Sequence, residues 1–127
     1  MADVIDLFRH IKSRPSLYMH PVKYSSAVAL LAGYDLATDS LFLQGFCEWL
    51  VLKLGYRCNF YWGRIIPMIA FPEAPLDIFV ENKLSNEQEE IAITTLFDEL
   101  EEFYLVKKDS TKGLRWIYAQ YEHIIVH

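Results

Sequence analysis

The clearest periodic pattern in the sequence lies between residues 85 and 106, where apolar side chains recur every three or four positions. The apolar stripe consists of Ile93, Leu96, Phe97, Leu100, Phe103 and Tyr104. This spacing puts the stripe on one face of an α-helix. Ser85 and Gln88 match a capping box, in which each side chain accepts a hydrogen bond from the other residue's backbone amide. The pattern predicts a helix that buries this face, with the acidic residues mainly outside the stripe.

The N-terminal segment predicts a short amphipathic helix over residues 3–13, with Asp3 as its cap. Arg14 should end this helix, because Pro15 disfavours helical geometry at the residue before it. Residues 16–21 then predict a loop.

The middle of the chain predicts three further helices. The first of them is expected to start near Ser25. Residues 41–54 are apolar on most sides, which is typical of a helix in the centre of a bundle, and Gly55 follows as a left-handed terminating residue. Residues 60–70 predict the next helix, which Pro67 should kink or end early.

The remaining segments are less regular. Residues 71–75 predict a rigid connector with two prolines, residues 76–81 a short extended segment, and residues 107–113 a polar turn. Residues 114–126 satisfy helical spacing, but their aromatic and β-branched content would also suit a strand, and we favour the helix. The sequence thus predicts a mostly α fold, a compact helical bundle of five to six helices in one domain that spans residues 1–127.

The charge of the chain is unevenly distributed. Seventeen acids and twelve bases give a net charge of −5. Between Glu73 and Glu102 there are ten acids and one base, Lys83, so this stretch carries −9 and the rest of the chain +4. Such a field favours a cationic partner, although a solvated helix face explains it equally well. The chain lacks the basic patch of a nucleic-acid binder, so direct binding to nucleic acid is not expected.

Aromatic residues make up 15 % of the 127 residues, a high share. One core need not hide all of them, which leaves some free to line a groove or an interface. An aromatic excess also suits self-association, so a homodimeric structural or adaptor protein is one alternative. A small enzyme or small-molecule binder with an aromatic pocket around Trp49 and Trp62 is another.

No pattern of residues points to catalysis, a metal site or a cofactor. His123 and His127 are four residues apart, but they lie at the C-terminal end with Glu122 as their only acidic neighbour. Cys47 and Cys58 are expected to be reduced core thiols. The glycines are scattered, so no phosphate-binding loop is expected. We therefore expect a protein that binds another protein and is not an enzyme.

The sequence predicts neither export nor a membrane span, and no membrane partner is expected. The N-terminus lacks the basic start and the apolar run of a signal peptide. The most apolar stretch, residues 41–54, is too short to cross a bilayer and contains charged residues. We therefore expect a cytoplasmic protein.

The segment Arg-Pro-Ser-Leu-Tyr-Met at residues 14–19 resembles the Arg-Pro-Gly-Met-Tyr start of a group of small bacterial immunity proteins. These proteins are associated with polymorphic and contact-dependent growth inhibition toxins. Further matching segments follow in the same order, at residues 30–34, 46–51, 54–56, 62–66 and 96–103. The resemblance covers residues 5–106. It departs from the family pattern at Ser16 and Leu17, where glycine and methionine are expected, and at the proline-containing segment 71–84.

The resemblance implies a helical immunity protein that binds one cognate toxin domain and neutralises it. Many toxins of this kind act on nucleic acid, so the partner is expected to be a basic domain, such as a nuclease, that meets the acidic helix. The interface candidates are Glu87, Glu90, Asp98, Glu101, Glu102 and Tyr18. The residues of the structural motif are Arg14, Pro15, Trp49, Gly55 and Trp62.

Arg14 and Tyr18 each have two interpretations. Arg14 either pairs with an acidic group of a partner or caps helix carbonyls and fixes the following loop, and we favour the second role. Tyr18 is either an interface ring or a part of the core, and the sequence favours neither.

Overall fold

The computed structural model describes residues 4–73 and 84–126 of the chain. Within these residues the chain forms six α-helices, which are α1 (Val4–Ser13), α2 (Tyr24–Ala37), α3 (Phe46–Leu54), α4 (Trp62–Ala70), α5 (Asn86–Lys108) and α6 (Gly113–Val126). A short 3₁₀ turn, Pro15–Leu17, follows α1. The described residues contain no strand, which confirms the predicted mostly α helical bundle. The extended segment predicted at 76–81 and the Asp3 cap lie outside the described residues.

Helix α5 is the centre of the bundle, because each of the other five helices contacts it. Its buried apolar stripe consists of Ala92, Ile93, Leu96, Phe97, Leu100 and Phe103. Burial of one large apolar side chain stabilises a fold by about 1.5–3 kcal/mol. The predicted capping box is present: the Ser85 Oγ accepts a 3.1 Å bond from the Gln88 N–H, and the Gln88 Oε1 accepts a 2.9 Å bond from the Ser85 N–H. The capping box thus fixes where this central helix begins.

Helix α3 begins at Phe46, later than the start predicted at residue 41, and residues 42–45 form turns. Gly45 precedes the helix with a φ of +93°, and a Cβ atom there would lie 2.5 Å from the Leu114 Cδ2 of α6. The positive φ at this position favours glycine, and the missing Cβ atom leaves room for the Leu114 side chain of α6. Gly55 ends the helix as predicted, in the left-handed region with a φ of +82°.

Two side chains hold the loop before α3 through hydrogen bonds with its backbone. The Lys107 Nζ of α5 donates to the carbonyl oxygens of Leu41 and Phe42, at 2.8 Å and 3.2 Å. The Asp35 Oδ1 of α2 accepts a 2.8 Å bond from the Leu43 N–H. These bonds take the place of helical ones, which is why the helix does not extend back to residue 41.

Helix α4 continues to Ala70 through Pro67, so of the two effects predicted for Pro67, a kink or an early end, the early end does not occur. Proline has no N–H, so it cannot donate to the carbonyl four residues before it, which belongs to Gly63. The hydroxyl of Tyr24 on α2 donates to this carbonyl instead, at 2.6 Å. Tyr24 is only 8 % exposed, and burial raises the pKa of its hydroxyl, with a further rise from Tyr61. A residue of another helix thus replaces the missing hydrogen bond.

Residues 113–126 form a helix, as we favoured over a strand. Ile117 of α6 is fully buried, and Leu114 lies against the start of α3. The turn before α6 is fixed by Asp109, whose Oδ1 accepts bonds of 2.7 Å and 3.2 Å from the N–H groups of Thr111 and Lys112. The polar turn predicted at 107–113 is shorter than expected, because its first two residues belong to α5.

Among residues 4–73 and 84–126, no helix combines the length and the apolar character that crossing a bilayer requires.

The hydrogen bond from Tyr24 to the Gly63 carbonyl can be tested with two substitutions. Tyr24→Phe leaves that buried carbonyl without a donor, so we expect the free energy of unfolding to fall by about 1–3 kcal/mol. In a Pro67→Ala background the alanine introduced at this position has a backbone N–H, which supplies a donor within the helix. Tyr24→Phe should then cost clearly less. Urea unfolding of the four proteins, followed by circular dichroism, measures both costs, and equal costs in the two backgrounds would contradict the proposed compensation.

Candidate functional site

The acidic residues of α5 were predicted to form one contact surface, but the structure uses them in different ways. Asp98 accepts a 2.7 Å bond from the Lys12 Nζ of α1. Glu101 accepts a 2.6 Å bond from the Arg9 Nε of the same helix. The two cations are three residues apart on α1, and the two acids are three residues apart on α5, so each pair lies on one face of its helix. The two helices run antiparallel, because the earlier cation on α1 contacts the later acid on α5. These carboxylates fasten α1 to α5.

A second group of charges joins α5 to α3. The Lys53 Nζ lies 2.5 Å from the Glu102 Oε2 and 3.8 Å from the Glu99 Oε1. The hydrogen bond with Glu102 raises the pKa of Lys53. Glu102 is thus engaged within the chain, like Asp98 and Glu101.

Glu99 is buried, with 9 % of its surface exposed, although the acids of α5 were predicted to lie mainly outside the apolar stripe. Burial raises the pKa of Glu99, while Lys53 acts in the opposite direction. The Glu99 Oε2 and the Trp49 Nε1 are both buried and have no hydrogen-bond partner of normal geometry. The Trp49 side chain nevertheless lowers the pKa of Glu99, and so offsets part of the rise that burial causes. The sequence held a signal for this burial, because Glu99 is three residues after Leu96 and four before Phe103.

Glu89 is also buried, at 6 % exposure, and is a second exception to the prediction that the acids of α5 lie mainly outside the apolar stripe. Its Oε2 accepts a 2.6 Å hydrogen bond from the backbone N–H of Tyr24, the first residue of α2. A carboxylate at this position satisfies one of the free amides at a helix N-terminus and interacts favourably with the helix dipole. Glu89 therefore caps α2 from α5.

Glu87 and Glu90 remain exposed, and neither forms an ion pair or a hydrogen bond with the described residues. Together with Ile91, Thr94 and Thr95 they line a shallow hollow of about 350 Å³, which we call the Glu87–Thr95 face. Ile91 is 41 % exposed. The face therefore combines an exposed apolar side chain, two hydroxyl-bearing residues and two carboxylates that no described cation neutralises.

Tyr18 contacts α1 rather than the acids of α5. Its hydroxyl forms a hydrogen bond with the His10 Nδ1, and the two rings meet edge to face with their centroids 5.5 Å apart. Tyr18 is 36 % exposed, which places it at the rim of the fold. The next residue in the chain, Met19, is buried, so it is Met19 rather than Tyr18 that anchors this loop in the core.

Arg14 does not have the carbonyl-capping role that we favoured. Its guanidinium is exposed and forms no hydrogen bond or ion pair with the described residues, so it caps no helix carbonyl there. Only the Arg14 backbone takes part, with its N–H 2.9 Å from the His10 carbonyl. Pro15 opens the 3₁₀ turn, whose backbone bonds hold the loop without the guanidinium.

Of the two tryptophans of the structural motif, Trp49 belongs to the core, and Trp62 is half-buried and packs against it. Trp49 is 7 % exposed, and the Trp62 ring lies 6.0 Å from the Phe46 ring. Both therefore stabilise the junction of α3 and α4.

The two cysteines are free thiols that border an open cleft of about 300 Å³, and neither is fully buried. We call this the α3–α6 cleft. It is lined by Cys47, Glu48, Val51, Cys58, Asn59, Phe60, Tyr61 and Tyr121. Burial raises the pKa of Cys47, which keeps the thiol protonated and weakly nucleophilic. Sequence reasoning missed this cleft, although Glu48 stood out as an acid inside the apolar stretch 41–54.

Within the described part of the chain, no group of three or more histidine, cysteine, aspartate or glutamate residues is placed to hold a metal ion. Comparisons of the chain with protein-family models, with curated proteins and with solved structures found no match.

The buried carboxylate of Glu99 predicts a specific pH dependence of stability. Because its pKa in the folded protein is raised above the ordinary value of 4.5, charged Glu99 opposes folding at neutral pH. Glu99→Gln should therefore raise the free energy of unfolding at neutral pH. Between the raised pKa of the folded state and 4.5, the wild-type carboxylate is protonated in the folded protein but still charged in the unfolded chain. The stability of the wild type therefore rises as the pH falls through this range, and the difference in free energy of unfolding between the variant and the wild type should shrink.

Urea unfolding at a series of pH values measures this advantage. Glu122→Gln, which changes an exposed acid of α6, is the matched control and should show no such trend. A Glu99→Gln variant that is less stable than the wild type by a constant amount at every pH would refute the prediction.

Proposed function

We propose that this protein is an immunity protein that binds a cognate toxin domain and neutralises it without catalysis. The proposal rests on the resemblance of residues 14–19 and of the segments that follow in order, together with one surface feature. That feature is the Glu87–Thr95 face, where Glu87 and Glu90 are exposed and have no ion-pair partner among the described residues, while Asp98, Glu101 and Glu102 are engaged by α1 and α3. The contact surface is therefore narrower than the whole acidic helix.

The partner that suits this face is a basic domain, such as a nuclease. The two exposed carboxylates steer a cationic surface toward the helix and raise the rate of association. Ile91, at 41 % exposure, provides an apolar contact at the centre, and Thr94 and Thr95 border it with hydroxyl groups. An apolar centre with a polar rim is the usual arrangement of a specific protein interface.

The test is co-expression with the C-terminal domain of a large secreted protein encoded immediately upstream. The wild-type chain should allow the host to grow and should bind that domain in calorimetric titration. The double variant Glu87→Lys with Glu90→Lys should weaken binding by about tenfold or more, because each reversal places like charges in contact.

The matched control is Asp6→Lys with Glu122→Lys. It changes the net charge equally, and Asp6 lies in the first turn of α1 as Glu87 lies in the first turn of α5, so the cost to the helix dipole is matched. The control variant should retain full binding. Equal loss in both double variants would reject the Glu87–Thr95 face, and failure of the wild type to protect the host would reject the immunity role itself.

Self-association is a second candidate function, favoured by exposed leucines. Leu36, Leu41 and Leu105 are 73 %, 60 % and 55 % exposed. Such residues are common singly on monomeric proteins, so the molecular mass in solution decides between the candidates. Light scattering that gives a dimer which persists on dilution would support self-association, and a monomer at all concentrations would exclude it.

A further inference from the structure

The α3–α6 cleft contains a carboxylate, Glu48, that forms an ion pair with no described residue. Among the eight described residues that line it, Glu48 is the only one with a charge at neutral pH, and none is lysine or arginine. Glu48 is partly buried and forms no ion pair or hydrogen bond with the described residues. A carboxylate that is partly withdrawn from water without a partner lowers stability, and a bound cation would remove that cost.

The groups around Glu48 are electrically compatible with a single negative charge. Burial raises the pKa of Tyr118, and the charge of Glu48 raises it further. Glu48 also adds to the rise in the pKa of Cys47 that burial causes. Both neighbours are therefore neutral at physiological pH, and the field in the cleft comes from Glu48 alone among its lining residues.

The walls of the cleft are aromatic, and aromatic faces attract cations. Phe60, Tyr61 and Tyr121 line the cleft. The protein already uses one of these rings in this way, because the Arg64 Cζ lies 4.2 Å from the centroid of the Phe60 ring. A planar guanidinium is weakly hydrated, stacks on such rings and can form two parallel hydrogen bonds with a carboxylate, whereas an ammonium group cannot.

We propose that the α3–α6 cleft binds the guanidinium group of an arginine side chain that belongs to a partner protein. Glu48 accepts hydrogen bonds from the guanidinium, and Tyr61 and Tyr121 pack against its plane. The volume of about 300 Å³ is at the lower end for small-molecule sites and suits the end of one side chain. The exposed ring of Tyr61, at 59 %, then meets the rest of the partner. This site shares no residue with the Glu87–Thr95 face, so its existence does not depend on the immunity role.

The probe for this site is N-acetyl-arginine amide, which carries the side chain without the charges of a free amino acid. Titration followed by heteronuclear NMR should give saturable shifts at the backbone amides of Cys47, Glu48 and Tyr121. Glu48→Gln should weaken the affinity by about tenfold, since it removes the charge but keeps the shape. The neutral isostere N-acetyl-citrulline amide should leave these signals unchanged.

Glu122→Gln is the matched control, because it removes an exposed acid one residue after Tyr121 that does not line the cleft. Its affinity should stay within about twofold of the wild type, as expected for an exposed charge. Tyr121→Leu provides a second variant with the same expected loss, should Glu48→Gln fail to fold. Equal affinity of the wild type and Glu48→Gln, or equal shifts with the citrulline amide, would overturn the proposal. Tighter binding of free arginine than of the amide would also overturn it, because that result indicates a metabolite site.

Discussion

Helix α5 must satisfy two requirements at once, because it is covered by five other helices and also carries seven of the fourteen acidic residues in the described part of the chain. Burying its apolar stripe brings the neighbouring carboxylates close to the helices that cover it. The carboxylates that become buried, Glu89 and Glu99, need a hydrogen-bond donor or a cation, since a buried charge without one is costly, and three of the more exposed ones lie within reach of cations on the covering helices. Arg9 and Lys12 of α1 and Lys53 of α3 supply the cations, and the N-terminal amide of α2 supplies a donor.

The same need for partners fixes the ends of the shorter helices. Tyr24 gives its amide to Glu89 and its hydroxyl to the Gly63 carbonyl, so one residue connects α2 to α5 and to α4. Lys107 performs a similar role at the other end of α5, where it holds the carbonyls before α3. Surface ion pairs contribute only about 0–1 kcal/mol each, so the two buried hydrogen bonds of Tyr24 matter more for the position of the helices than the exposed pairs do.

The sequence predicts those features of the fold that depend on residues close together in the chain, and it misses those that depend on residues far apart. The stripe of α5, its capping box and the Gly55 terminus are local, and the sequence predicted all three. The passage of α4 through Pro67 depends on Tyr24, which is 39 residues from Gly63, and the burial of Glu89 depends on a residue 65 positions away. Periodicity cannot reveal such pairs. Glu89 and Glu99 nevertheless lie at stripe spacing, which is the one local sign that they turn inward.

The negative charge available to a partner is smaller than the sequence suggests, because many of the acids have partners within the chain. The sequence assigns a large negative field to residues 73–102, and much of it is compensated by cations or withdrawn from the surface in the folded protein. What recognition by charge requires is an acid that the fold leaves without a partner. Among the described residues, Glu87 and Glu90 have no such partner on the helix surface, and Glu48 has none in the α3–α6 cleft. The two sites differ in their lining, because the first has two carboxylates around one isoleucine and the second has one carboxylate among aromatic rings, so they suit different cationic groups.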